Sequence, residues 1–210
     1  MPRILISLLA ATVLAVSATA QTPSTDRATI DRAIAAVYPS LVRISVVAMQ
    51  WTAGREIKAE AFGSGTIVSA DGYVITNHHV VGRVQRIICT LPSNEEVAAE
   101  LVGTDPLSDI AVLRLRPDKP RMFPAARFGK SAELRRGDVV LAMGSPMALS
   151  QSVTRGIVSN TDMTPPPTVA SPLMLDGEDV GSVVKWIGHD AAIYPGNSGG
   201  PLVNLAGEIV

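Results

Sequence analysis

The sequence predicts an all-β chain folded as two small antiparallel barrels, and two observations carry that expectation. From Leu41 onward the chain is a series of short Val-, Ile- and Thr-rich runs divided by Gly, Pro, Asn and Asp, the pattern of strands separated by turns. These runs fall into two groups, six before residue 117 and five after residue 133, around a stretch of prolines, glycines and charges. Periodicity alone admits a sandwich as readily as a pair of barrels.

Taken in order, the first group is expected at 41–48, 62–69, 73–76, 86–91, 97–103 and 110–115. Asp71-Gly72 signals a two-residue hairpin between its second and third strands, because glycine adopts the positive φ that such turns need. The second group is expected at 138–143, 152–159, 183–188, 201–204 and from near Glu208. Between these, Asp162 to Gly181 carries Pro165, Pro166, Pro167 and Pro172. Proline cannot donate to a ladder, so this stretch reads as a long surface loop. Ahead of the strands, Ile30, Ala33, Ile34 and Val37 recur at helical spacing within Asp26 to Tyr38, and Pro39 ends that short helix. The resulting division is a leader and helix at 21–40, a first barrel at 41–116, a linker at 117–133 and a second barrel at 134–210.

Residues 1–20 have a different character. Arg3 gives a positive end, Ile4 to Val16 is apolar except for Ser7 and Thr12, and Ala18-Thr19-Ala20 is a small-x-small cleavage site. That layout is a secretory signal peptide, and the apolar run falls short of the ~20 residues that span a bilayer. The chain is therefore expected in the periplasm or outside the cell, with no membrane span after cleavage. Its 18 basic and 19 acidic residues are nearly balanced and form no long run, which gives no basis for a nucleic-acid groove. Cys89 is the single cysteine and there are three histidines. No internal disulfide can form, a zinc site is not expected, and Cys89 in its apolar run reads as a buried, inert thiol.

The string with most chemical content is Pro195-Gly196-Asn197-Ser198-Gly199-Gly200-Pro201-Leu202. A serine nucleophile needs a tight turn that exposes its Oγ and converges backbone N–H groups on one point. Flanking glycines permit that geometry. The Gly196 and Ser198 N–H groups then form an oxyanion hole, with Asn197 N–H as an additional donor; one such donor contributes about 3–4 kcal/mol. The same string fits the nucleophile elbow of α/β-hydrolases, but that fold places its acid and histidine after the serine. Only twelve residues follow Ser198, and none is histidine. A His–Asp–Ser order needs the other two members upstream. Thr76-Asn77-His78-His79-Val80-Val81 and Asp105-Pro106-Leu107-Ser108-Asp109-Ile110-Ala111-Val112-Leu113 supply them, with two candidates at each position.

These three strings resemble the HtrA/Deg group of trypsin-like serine endopeptidases, which carry Thr-Asn-x-His-Val, Asp-Ile-Ala-Val-Leu and Gly-Asn-Ser-Gly-Gly-Pro-Leu. Val140 to Pro146, Ser152 to Ser159 and Asp190 to Ile193 also look like that family. The resemblance runs from about Leu41 to the last residue. It implies a trypsin-like double barrel with His79, Asp109 and Ser198 as the triad, which leaves His78 in the variable position and Asp105 in a turn. It further implies no cofactor, misfolded or unfolded exported polypeptides as substrates, and a homotrimer. Family members continue past the equivalent of Val210, so the second barrel is expected to lack its last strand or strands and no PDZ domain is expected in these 210 residues. Tyr194 and His189 stand where the family often has asparagine and threonine, which bears on substrate preference. The rival reading is a chaperone-like or peptide-binding module on an inactive protease scaffold.

Overall fold

A computed structural model describes residues 25–52, 55–82, 84–145, 152–164, 174–175, 178–179 and 184–210. The expected signal peptide lies outside the described residues. Among the described residues no helix is long and apolar enough to cross a membrane.

Helix α1 (Thr25–Val37) opens the described chain, with Asp26 in its first turn where the helix dipole favours an anion. Ala33 and Val37 are buried on one face. A single 3₁₀ turn at Tyr38–Ser40 follows, in which Ser40 Oγ donates to the Val37 carbonyl at 2.6 Å. Strand β1 (Leu41–Thr52) then pairs along its whole length with β2 (Arg55–Ile67). Strand β3 (Tyr73–Asn77), helix α2 (His78–Val81), β4 (Arg86–Thr90), β5 (Glu96–Asp105) and β6 (Ile110–Arg116) complete the first unit. Its strands close into a barrel in the order β1-β2-β3-β6-β5-β4.

Alternation along the strands fills that barrel. Val42, Ile44 and Val46 on β1 point inward with Ile67, Val74, Cys89, Leu113 and Leu115, as the period of two requires. Leu41 falls on the opposite side and joins a second core with Ala33, Val37, Leu141, Met143 and Val203. One strand start therefore ties the two halves together. The β2–β3 connection is longer than the expected two-residue turn. Val68 N–H donates to the Tyr73 carbonyl at 2.8 Å, and beyond that pair the turn is the four-residue loop 69–72, closed by Gly72 N–H to the Ser69 carbonyl at 3.0 Å. Gly72 has φ +86°, and a side chain there would press on Phe123 and Leu115.

The second half is a six-stranded sheet formed by β7 (Arg127–Phe128), β8 (Val139–Gly144), β9 (Ser152–Met163), β12 (Trp186–His189), β13 (Leu202–Asn204) and β14 (Glu208–Ile209), in the order β12-β9-β8-β13-β14-β7. Its pairings are antiparallel except for β14 with β7, which is parallel. Strand β7 and a 3₁₀ turn at Ser131–Glu133 lie inside the stretch expected to be a plain linker. The reason is spatial, because the linker runs along the sheet edge and Ile209 holds it there by accepting the Gly129 N–H at 2.8 Å. Within the expected loop, β9 reaches Met163, and a small ladder joins β10 (Met174–Leu175) to β11 (Glu178–Asp179). Its four prolines lie outside the described residues.

Candidate active site

The C-terminal end of β3 runs directly into α2, whose Val80 and Val81 are buried in the first core. This anchors a single helical turn carrying two adjacent histidines, and the turn sends them to different places. His78 is buried, with its Nδ1 2.6 Å from Thr104 Oγ1 on β5 and its ring packed on Gly82. The His79 imidazole instead meets Asp109, with Nδ1 2.8 Å from Asp109 Oδ2.

Asp109 is held by its whole surroundings. It sits just before β6 with φ +56°, a left-handed conformation that costs a non-glycine residue about 1–2 kcal/mol. Five hydrogen bonds oppose that cost. Its N–H donates to the Pro106 carbonyl at 3.1 Å, and its carbonyl accepts His78 N–H at 3.0 Å and Asn77 Nδ2 at 2.9 Å. Its carboxylate accepts His79 N–H at 3.0 Å on Oδ1, in addition to the imidazole on Oδ2. Asp105 shapes the preceding turn by accepting Leu107 N–H and Ser108 Oγ. The Asp109 side chain is 6% exposed and that of His79 is 29% exposed. A buried anion thus backs an imidazole that opens to solvent, an arrangement that fixes the ring's orientation and favours a proton on Nδ1.

The third element comes from the other half of the molecule. Residues 194–200 form successive turns, with Asn197 N–H donating to the Tyr194 carbonyl at 3.0 Å and Gly200 N–H to the Asn197 carbonyl at 2.8 Å. Gly196 at φ +98° and Gly199 at φ +82° take conformations that side chains resist. The loop is seated against the first barrel. The Ser198 carbonyl accepts Ser64 N–H at 2.7 Å, and Gly199 leaves no room for a side chain against Thr76 Oγ1, the Ser64 carbonyl and Asn77 N. Likewise a Cβ on Gly63 would lie 2.7 Å from Val80 Cγ1 and 3.2 Å from the Ser198 carbonyl. The serine loop therefore rests on the β2–β3–α2 junction that carries His79.

Of the three expected anion donors, the Asn197 N–H is engaged within its own loop by the Tyr194 carbonyl. Among the described residues no group of three or more His, Cys, Asp or Glu could hold a metal ion. Sequence reasoning missed Ser64, Asn77 and Thr104 as supports of the site. Ser64 left a trace in the string Gly63-Ser64-Gly65, where paired glycines in a strand mark a close backbone approach.

Comparison with known proteins agrees with this geometry. Residues 63–210 match the family described as "Trypsin-like peptidase domain". A protein from Ectopseudomonas mendocina named "Probable periplasmic serine endoprotease DegP-like" is 46% identical over 157 residues, 75% of this chain and 30% of its own length. "Serine protease HTRA2, mitochondrial" from Bos taurus is 40% identical over 175 residues, 82% of this chain and 35% of its own length. The solved structure "HtrA-type protease AlgW with tripeptide" superposes with a TM-score of 0.70 at 34% identity, covering 86% of this chain and 52% of that one. The chain thus spans about a third of the curated relatives it matches. With its closed first barrel, its packed second sheet and these relatives, the chain belongs to the trypsin-like peptidases and resembles their HtrA/Deg members.

Proposed function

We propose that the protein is a serine endopeptidase that cleaves polypeptides through an acyl-enzyme, with His79, Asp109 and Ser198 as its catalytic residues. One observation carries the reading: a buried Asp109 carboxylate holds His79 by two hydrogen bonds, one to its imidazole Nδ1 and one to its backbone N–H, on the helical junction against which the glycine-flanked serine turn is seated. A merely structural histidine needs no such pair, and the His78 ring next door meets the Thr104 hydroxyl.

In this mechanism Ser198 Oγ attacks the peptide carbonyl carbon while its proton passes to His79 Nε2. Asp109 stabilises the imidazolium that results. The tetrahedral oxyanion is held by Gly196 and Ser198 N–H, a term of about 3–4 kcal/mol per donor. Collapse breaks the C–N bond, and His79 returns the proton to the leaving amine. Water then attacks the ester carbon and gives its proton to His79; collapse breaks the C–O bond to Ser198, the proton passes from His79 to Ser198 Oγ, and the acid product leaves.

The relatives' names, a periplasmic endoprotease and a peptide-bound protease, support a polypeptide as the proposed substrate. It is an unfolded or misfolded exported polypeptide, met by an exported protein whose residues 1–20 act as its signal. Residues 41–116 and 134–210 then act as the two halves of one protease domain, which associates as a homotrimer. Digestion of casein beside a panel of folded proteins tests this. Casein is degraded, the folded panel survives, and Ser198→Ala abolishes cleavage. Equal casein binding without cleavage by both forms would instead support the peptide-binding module.

A further inference from the structure

Ser64 lies within β2 between Gly63 and Gly65, and it is fully buried. The positions of its bonding partners set it apart. Ser64 N–H donates to the Ser198 carbonyl at 2.7 Å, and Ser64 Oγ donates to the Gly196 carbonyl at 2.7 Å. The same hydroxyl accepts Ser145 N–H at 2.8 Å, while the Ser64 carbonyl accepts Thr76 Oγ1 at 2.7 Å. Every polar atom of the residue is engaged. All but the Thr76 bond cross from the first barrel to the second half.

A peptide unit is planar, so holding its oxygen also aims its N–H. The unit joining Gly196 to Asn197 is held at both ends, its oxygen by Ser64 Oγ and its N–H by the Tyr194 carbonyl. On its Gly196 side no Cβ restricts rotation of that unit. The Gly196 ψ and the Asn197 φ on its two sides set the angle between the flanking units that carry the Gly196 and Ser198 N–H groups, and a change in either that the other does not cancel turns those donors relative to one another. The bond from Ser145 N–H fixes the hydroxyl in turn, because an oxygen accepting there donates in the remaining direction.

We infer that Ser64 is a positioning residue: its hydroxyl, bridging Ser145 N–H and the Gly196 carbonyl, aims the two anion donors of the nucleophile loop. This rests on reading Ser198 as the nucleophile and the Gly196 and Ser198 N–H groups as the oxyanion donors. Ser64 itself touches no substrate atom. Its effect belongs to the transition state, where the donors meet developing charge, and not to substrate binding.

Steady-state kinetics on a peptide substrate test this, together with the affinity of a peptide boronate, which forms a tetrahedral adduct on an activated serine. Misaimed donors lower a rate by roughly 10–100-fold. Ser64→Ala is expected to lower kcat and boronate affinity by that same factor with KM unchanged. Cys89→Ala, a buried change in the same barrel, lowers the melting temperature and leaves kcat alone. Should Ser64→Ala fail to fold, Ser64→Cys keeps the shape with a weak donor and is expected to lose at least roughly tenfold in kcat. A folded Ser64→Ala or Ser64→Cys with wild-type kcat and boronate affinity overturns the assignment. Loss confined to KM overturns it as well. A wild-type protein that neither cleaves nor binds the boronate sinks the protease reading itself, and this inference with it.

Discussion

Replacing Asp109 by asparagine separates the chemistry of the carboxylate from its part in the fold. The backbone there has φ +56°, a region in which asparagine is among the best tolerated side chains. The turn bond to the Pro106 carbonyl and the two bonds onto the Asp109 carbonyl do not involve the side chain and should survive. What changes is the pair of acceptors facing His79 N–H at 3.0 Å and His79 Nδ1 at 2.8 Å. An amide offers one acceptor and one donor. With its oxygen on the backbone N–H, its NH₂ faces Nδ1 and drives the ring proton to Nε2, where the base is needed. In a trypsin-type triad this exchange lowers kcat about 10⁴-fold, or about 5 kcal/mol of transition-state stabilisation. The fold loses about 1 kcal/mol, a melting shift of about 2–4 °C. The assay is kcat and KM on a fluorogenic peptide, with melting curves on the same samples. A folded Asp109→Asn protein that keeps more than about a tenth of wild-type kcat would refute the role given to the carboxylate.

The neighbouring histidines should behave in opposite ways. His79→Ala abolishes hydrolysis with little change in stability, whereas His78→Ala keeps activity but destabilises by about 1–3 kcal/mol in urea, because it leaves the Thr104 hydroxyl only its 3.3 Å bond to the Ile110 carbonyl and opens a gap beside Gly82. The reverse pattern contradicts the assignment. Gly199→Ala forces a methyl into Thr76 Oγ1 and the Ser64 carbonyl at φ +82°. It should lower stability by about 2–5 kcal/mol and remove activity together; wild-type behaviour in both would show the loop is seated elsewhere. Burial pushes the Cys89 thiol up to about 12 from 9.0. Native protein at pH 8 should resist iodoacetamide until denaturant is added. Because the folded value is the higher one, the stability from this group is complete below pH 9 and erodes as pH climbs toward 12. Rapid alkylation of native protein at pH 8 would show that the thiol is not buried.

The strand runs were legible where local signals agree with the tertiary structure. The β-rich runs from Leu41 and the helix ending before Pro39 need only neighbouring residues to specify them. The β2–β3 turn was misread because Asp71-Gly72 is a strong local signal that tertiary packing overrides. Gly72 closes a four-residue loop against Phe123 and Leu115, both remote in sequence. Strand β7 escaped notice for a similar reason, since two residues, Arg127 and Phe128, become a strand only by pairing with Glu208 and Ile209. At the site, His78 and His79 have the same local chemistry and differ only in what the fold sets opposite them. Ser64 was invisible as a type, because a buried serine gains meaning only from the Gly196 and Ser198 carbonyls that another part of the chain delivers to it.

Reaction with a fluorophosphonate, followed by peptide mass mapping, addresses the central claim most directly. An activated serine is modified and an ordinary hydroxyl is not. One adduct is expected, on Ser198, abolished by Ser198→Ala and by His79→Ala and slowed in Asp109→Asn. A native protein that takes up no label, or that takes it up equally without the imidazole of His79, would contradict the catalytic relay described above.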